Sequence, residues 1–373
     1  MTFSSIKRFM TRRQHIQRQF IETLLCGLVG GVFFTLFHLP LSWMLGPLTA
    51  ILIWKLKTNR KLFWPVSFKN GGQMLLGYSM GLSFTLESAG QIVNHLPTMA
   101  IMTVLMVVFG LAVAYFISRV TGINIPSAVM GTTPGGLSQM AVLSEEIKGA
   151  DPTIVTFMQT IRMLTVIFTV PALSIHAFSR DAATSNLSND IGTQMEYGSF
   201  FQILIIIAIV LTVTLLSVAI KFPTPWIIGP LLTSAILTVS GVEIPQLPTV
   251  LILIAQLCLG VYLGLGIKIN MLTNWRKLLP YSFVSGIMIV GFAFGLSYCL
   301  HTLYHIDMTT AFLCIAPGGL PEMGVTAHTV HADVSMVAAY QLFRVFFILF
   351  IVPIFLRKIF GKQKVDERSI KSV

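Results

Sequence analysis

Two stretches of this 373-residue chain combine side chains that could bind and neutralise a small ion. QTIRMLTVIFTVP (159–171) and QLFRVFFILFIVP (341–353) each set a glutamine and an arginine three positions apart, Gln159 with Arg162 and Gln341 with Arg344. Residues at i and i+3 share a helix face, so each pair presents an amide and a guanidinium together. Each arginine falls about nine residues inside an apolar run, roughly 14 Å along a helix that rises 1.5 Å per residue. That depth is near the middle of a hydrocarbon core of about 30 Å. An arginine there cannot easily reach water and needs a partner, and ionisable groups at such depth are candidate functional groups. The chemistry on offer is recognition of an anion or of a carboxylate. A structural reading stands beside it, in which the arginines cap carbonyls of a broken helix or pair with a buried carboxylate.

The helix breaks are visible as GTTPGGLSQMAV (131–142) and APGGLPEMGVTA (316–327). Proline and paired glycines interrupt a membrane helix, and unwound backbone in a bilayer leaves N–H and C=O groups unpaired unless it lines a protein-enclosed or watery cavity. Such a segment offers free backbone groups and helix N-termini that favour anions. Thr133, Pro134, Gly135, Gly136 and Gln139 in one break, and Pro317, Gly318 and Gly319 in the other, therefore join Gln159, Arg162, Gln341 and Arg344 as candidate substrate-binding residues. Glu322 is the carboxylate placed in the breaks, and its counterpart is Gln139. One carboxylate against two arginines leaves positive charge, which favours an anionic solute or one bearing a carboxylate. Glu322 is the candidate proton-coupling group, since burial favours its neutral form and neighbouring arginines its charged one. A tight interhelical loop without a ligand is the alternative reading of the breaks.

The elements that must position these groups are written twice. PLSWMLGPLTA (40–50) matches PTPWIIGPLLT (223–233), QMLLGYSMGL (73–82) matches QLCLGVYLGL (256–265), and TPGGLSQM (133–140) matches APGGLPEM (316–323), all 183 residues apart. After a one-residue deletion Asp151, Gln159, Arg162 and Pro171 match Asp333, Gln341, Arg344 and Pro353 at an offset of 182. The expected organisation is a basic N-terminus (1–19), a first repeat (20–178), a polar linker (179–202), a second repeat (203–357) and a basic tail (358–373). In the first repeat the apolar segments are 20–38, 41–56, 72–86, 97–118, a broken stretch 125–143, and 153–178.

Charge sets their expected orientation, because Lys and Arg in short flanks mark the cytoplasmic side. The basic loop 55–69 lies inside, Glu87 outside, Arg119 inside and the acidic linker outside, provided that 125–143 enters and leaves on one face. In the second repeat the signs reverse, with Lys221 inside, Glu243 outside, Lys268, Arg276 and Lys277 inside, Asp307 outside and the tail inside. The expectation is an all-α polytopic membrane protein with an inverted-topology repeat, about five spans plus one broken or re-entrant element per half, and both termini cytoplasmic. Six parallel spans per half is the alternative, and it would place the linker inside.

Composition agrees with a membrane protein. Hydrophobic residues make up 54% and charged residues 10% of the chain, with a mean hydropathy of +0.81, against about 25% charged in soluble domains. The net charge of +11 sits mostly in the flanks of apolar runs, so it reports topology and not a nucleic-acid partner. Cys26, Cys258, Cys299 and Cys314 have no metal or redox spacing and read as small buried hydrophobes. HTLYH (301–305) reads as a solvated membrane edge, and HTVH (328–331) as an ordinary loop in preference to a proton relay or metal site. Gly77/Gly81 and Gly260/Gly264 read as small-residue packing faces, and Trp43 and Trp226 as interface anchors. No cofactor or metal is expected.

The duplicated pattern of GPL, Q, PGGL-x-[EQ]-M and Q-x-x-R resembles the membrane AbrB family, the AbrB-duplication proteins, from about residue 20 to 357. Members are often named as regulators or as ammonia monooxygenase, and the family is distinct from the small soluble DNA-binding regulator of the same name. Its repeat plan is similar to that of the cation/proton antiporter and anion transporter superfamily, which implies an elevator-like or rocking transporter in a bacterial inner membrane. An acidic residue after PGGLx is usual in the family, and Gln139 departs from it. The expected function is secondary active transport of a small anionic or amino-acid-like metabolite, coupled to protons, with the lipid bilayer as surroundings and a homodimer as one arrangement. A membrane-embedded regulator or sensor of gene expression is the alternative. An enzyme is not expected, because the eight histidines form no copper or di-iron constellation.

Overall fold

The computed structural model describes residues 3–39, 41–58, 60–178, 200–242, 244–267 and 275–361. Residues 179–199 of the expected linker, the tail beyond 361, and Glu243 and Lys268 of the charge argument lie outside the described residues. Among the described residues the protein is all-helical. The first repeat forms α1 (Phe3–Leu36), α2 (Ser42–Thr58), α3 (Val66–Gly81), α4 (Leu86–Thr121), α5 (Ile125–Thr132), α6 (Leu137–Glu146) and α7 (Pro152–Phe178). The second forms α8 (Phe200–Ala219), α9 (Pro225–Val239), α10 (Thr249–Gly266), α11 (Trp275–Tyr304), α12 (Met308–Ile315), α13 (Leu320–Thr329) and α14 (Val334–Phe360). Each helix of one repeat thus has a counterpart in the other. Among the described residues seven stretches, in α1, α4, α7, α8, α10, α11 and α14, are long and apolar enough to cross a membrane. The helices α2, α3 and α9, with 17, 16 and 15 residues, are shorter.

Several boundaries differ from the sequence expectation for identifiable reasons. The segment expected at 97–118 begins eleven residues earlier because Pro97 lies inside α4 and does not start it. A proline removes one ladder hydrogen bond, and packed neighbours in a membrane protein tolerate that loss. The interior prolines recur at matched positions, Pro47 with Pro230, Pro97 with Pro280 and Pro171 with Pro353. Glu87 consequently occupies the first turn of α4, where the helix dipole favours an anion, and not a loop. The segment expected at 72–86 runs instead over Val66–Gly81, started by extended Pro65 at φ −62°, ψ 135°. The N-terminal stretch expected to precede the first span is itself helical from Phe3.

Caps fix where the helices begin and end. Asp307 accepts from the backbone N–H of Thr309 (2.9 Å) and Thr310 (3.2 Å) at the start of α12. Asp151 accepts from Thr153 N–H (2.8 Å) before α7, and Asp333 from Met336 N–H (3.0 Å) at the start of α14. Left-handed residues also pair across the repeats, His38 with Lys221, Leu41 with Thr224, Gly122 with His305, and Gly149 with His331. Two histidines of the His-rich stretches therefore sit in turns that the other repeat builds with glycine.

The fold divides into two compact units, each drawing on both repeats. The first unit holds residues 1–92, 171–267 and 321–338, and the second holds 93–170, 268–320 and 339–373. In the first, α3 packs on α9 and α10 on α2 through glycine. A methyl group at Gly77 would collide with the Ile227 carbonyl, and one at Gly260 with the Met44 carbonyl. Both glycines and both partners are related by the 183-residue offset. Gly81 against Leu231 and Gly264 against Leu48 repeat the exchange one turn further. The small-residue faces read from the sequence are these contacts. Trp43 packs on Gly31 of α1, so it joins helices in addition to any interfacial role. Lys55 closes the end of α10, donating to the carbonyls of Leu265 (2.8 Å) and Ile267 (2.6 Å). Cys258 and Cys314 are buried as expected, while Cys26 is half-buried and Cys299 exposed.

In the second unit α4, α5, α6, α7 and α14 share a core of Ala114, Met130, Met140, Val155, Ile348 and Val352. A second cluster joins α4 and α7 to Leu278 of α11. Arg357 pairs with Glu146 at 2.7 Å, tying the ends of α14 and α6.

Two outcomes test this packing. Gly77→Ala and Gly260→Ala will each destabilise the purified protein by about 1–3 kcal/mol, whereas Gly71→Ala, with nothing within 4 Å, will be neutral or stabilising by up to about 1 kcal/mol. Thermal melts in detergent read the difference. His305→Gly and His331→Gly will each raise stability by about 1 kcal/mol, because a non-glycine residue in the left-handed region costs roughly that much.

Candidate functional site

The second unit contains both Gln–Arg pairs and the carbonyls freed by both breaks. Thr133 ends α5 in an extended conformation (φ −58°, ψ 129°) and Ala316 ends α12 in a matching one (φ −51°, ψ 132°). Both precede proline, and the Pro Cδ atom pushes its predecessor out of the helical region. The sequence therefore ends each half-helix at a defined residue. Gly135 N–H then turns back to Thr133 O (2.7 Å), and Gly318 N–H to Ala316 O (2.8 Å). No residue of either break is left-handed, so the glycines are not needed for a positive φ. Gly135 and Gly136 instead leave room for side chains of the next helix. A methyl group at Gly135 would collide with Met140, and one at Gly136 would lie 3.1 Å from Gln139 Oε1.

The freed carbonyls are met by the Gln–Arg pairs. The Gln159 amide nitrogen donates to Met130 O (2.5 Å) and Thr133 O (2.9 Å). The Gln341 amide nitrogen donates to Leu313 O (2.8 Å) and Ala316 O (3.2 Å), the equivalent carbonyls. Arg162 Nη2 donates to Gly135 O (3.2 Å) and to Gln159 Oε1 (2.6 Å). Arg344 Nη2 donates to Gly318 O (2.6 Å) and to Gln341 Oε1. The capping role weighed for the arginines is thus present in both repeats.

The repeats then part company. Arg344 also donates from Nη1 to Ile315 O (3.2 Å) and Ala316 O (2.6 Å). Arg162 leaves Nε and Nη1 buried with no partner. Arg162 is 5% and Arg344 6% exposed. No carboxylate of the unit's described residues pairs with either guanidinium. Isolated buried ions cost several kcal/mol each after relaxation, so the unit holds two like charges for which its described residues supply dipoles but no paired counter-ion. An anion would complete this arrangement. A cavity of about 10 Å³ lies beside Arg344, lined by Met102, Thr103, Met106, Cys314, Ile315 and Tyr340, enough for about one water.

The remaining candidates fall as follows. Thr133 and Pro134 are buried in the first break, Gln139 is half-buried in the first turn of α6, and Pro317, Gly318 and Gly319 form the second break. Glu322 belongs to the first unit, because the boundary between units falls between Leu320 and Pro321. It lies in the first turn of α13, is 8% exposed, and its Oε2 has no partner. Nearby on α13, Gly324 packs on Met80 of α3. Sequence reasoning missed His95 on α4, whose Nδ1 lies 3.2 Å from the Tyr340 hydroxyl. The earlier start of α4 was the signal that would have brought His95 into the apolar region.

The family model described as transition state regulatory protein AbrB matches residues 43–360. The chain is 26% identical to "Uncharacterized protein YhjN" of Bacillus subtilis (strain 168) over 361 residues, 91% of this chain and 94% of that one. It is 25% identical to "Putative regulator AbrB" of Escherichia coli (strain K12) over 334 residues, 88% of this chain and 94% of that one.

The unequal bonding of the two arginines predicts unequal stability effects. Arg344→Met strands two or more carbonyls and will lower stability by about 1–3 kcal/mol for each unsatisfied group, read as a lower melting temperature. Arg162→Met strands the Gly135 carbonyl and the Gln159 side-chain oxygen, but removes a buried charge with two unpartnered nitrogens and will cost less.

Proposed function

Because the chain belongs to the membrane AbrB family, we propose that it is a secondary active transporter of a small anionic or carboxylate-bearing metabolite, and not an enzyme. The observation that carries this reading is the pair of buried guanidinium groups with which no carboxylate of the unit's described residues pairs, one of them with two nitrogens unpartnered. An anion contacting Arg162 would satisfy those donors and offset the repulsion between the arginines. Thr133, Gly135, Gly136, Gly318 and Gly319 supply the backbone around it, with Gln159 and Gln341 holding the half-helix ends. The cavity beside Arg344 admits about one water, so binding a solute requires the surrounding helices to separate, as an alternating-access carrier does.

Several finer features belong to the same proposal. The duplicated breaks fit transporters built from inverted repeats, which bind near the midplane on discontinuous helices. On that plan the protein sits in the inner membrane with both termini in the cytoplasm. Glu322, with one buried oxygen unpaired, is the proposed coupling group, taking a proton with the solute. The name of the Escherichia coli relative speaks of regulation, and transport of a metabolite by this chain would influence gene expression only indirectly.

Transport by purified protein in liposomes tests the reading. With a panel of labelled carboxylates and an imposed pH gradient, the wild type will accumulate at least one. Arg162→Met will lower uptake about ten-fold or more, as loss of a charge-assisted contact of about 1.5–3 kcal/mol implies. A folded protein that moves no solute and collapses no pH gradient would sink the proposal.

A further inference from the structure

One polar pair in the second unit has no equivalent in the other repeat. His95 of α4 is 7% exposed, and its Nδ1 lies 3.2 Å from the Tyr340 hydroxyl of α14. Its ring also stands 4.2 Å from that of Tyr304 of α11, whose hydroxyl is held by Thr98 Oγ1 at 2.5 Å. The duplication maps His95 onto Leu278 and Tyr340 onto Met158. Those two apolar residues are buried and belong to one hydrophobic cluster. The fold therefore closes this contact with apolar side chains in one repeat, and the polar version in the other is not required for packing. A polar pair placed where an apolar pair suffices costs desolvation, which points to a use.

The surroundings indicate that use. Tyr340 precedes Arg344 by one helical turn, and both line the small cavity with Cys314 and Thr103. The titratable groups facing His95 and its partner are Tyr304 from α11, Tyr340 and Arg344 from α14, and Cys314 from α12. None is a carboxylate, so a proton arriving at His95 adds positive charge beside an already cationic site. It also reverses a hydrogen bond. With Nδ1 unprotonated, the tyrosine hydroxyl donates to it. With Nδ1 protonated, the ring donates to the tyrosine oxygen, and the hydroxyl hydrogen is released towards another acceptor.

We propose that His95 is a second proton site, coupled through Tyr340 and the neighbouring Arg344 to the anion that Arg162 holds. One proton enters from solution and forms the Nδ1–H bond, no other covalent bond is made or broken, and the Tyr340 hydroxyl becomes a donor to the anion. The proton and the anion then favour one another, with reciprocal coupling by thermodynamic necessity. This rests on the anion-site reading above and adds to it a route by which acid strengthens binding.

The test uses purified full-length protein with succinate and inorganic phosphate as probes, at about pH 6 and about pH 8, across the range where histidine changes charge. Thermal melts against probe concentration give the apparent affinity. In the wild type at least one probe will bind about ten-fold more tightly at the lower pH, within the usual span of coupling between sites. His95→Asn, which keeps a polar group at the position of Nδ1, will remove most of that pH dependence, with His95→Gln as the substitute if it fails to fold. Tyr340→Phe will also flatten the dependence. Probe binding with no pH dependence in the wild type, or an unchanged dependence in the His95 variants, overturns the inference and leaves the anion site standing. Absence of stabilisation by either probe at both pH values overturns the anion site itself, and the coupling with it.

Discussion

A carbonyl oxygen released by a helix break has no water to turn to inside a hydrocarbon layer, and the architecture of the second unit follows from that constraint. Gln159 and Gln341 each bridge the last helical carbonyls, and the neighbouring arginine anchors the glutamine and reaches the carbonyl of the first glycine. The caps at Asp151 and Asp333 fix the start of α7 and α14, and thereby the depth at which each pair meets its break. The prolines after Thr133 and Ala316 fix the other side of the contact. Sequence, cap and break thus define one another.

Capping alone does not account for the arginines. Glutamine already satisfies the helix-end carbonyls, and a neutral donor could serve the glycine carbonyl without the cost of burying a charge. Two like charges in one unit are a burden on stability unless something offsets them. The bonding also differs between the repeats, since both terminal nitrogens of Arg344 are bonded and Nη1 of Arg162 is not. A duplicated frame therefore carries an unequal pair of anchors. The same inequality appears at His95 and Tyr340 against Leu278 and Met158, and at Glu322 against Gln139.

Much of the frame was legible in the sequence, and the reasons are local. Pre-proline sterics and the repeated PGG motif located both breaks, and the i, i+3 spacing placed each glutamine with its arginine. The glycine faces of α3 and α10 could be read as packing surfaces from their spacing alone. Other features could not be read this way. Pro97 looked like a start because proline usually begins a helix, and only the surrounding packing lets α4 run through it; His95 was hidden as a result. The inequality of Arg162 and Arg344 depends on which donors find carbonyls, a matter of ångströms that identical Q-x-x-R motifs do not distinguish. The two compact units also interleave the repeats, which an internal duplication does not by itself foretell.

The exchange of glycine contacts in the first unit has a consequence for how the protein is made. The partner of Gly77 is Ile227 and the partner of Gly260 is Met44, so neither repeat contains the surfaces that complete its own third helix. During synthesis α3 is complete long before α9 exists to cover it. Its small-residue face must be sheltered by lipid or by the insertion machinery until the second repeat arrives. Assembly of the first unit is therefore a late event, and a chain cut between the repeats would yield two fragments that mature only together.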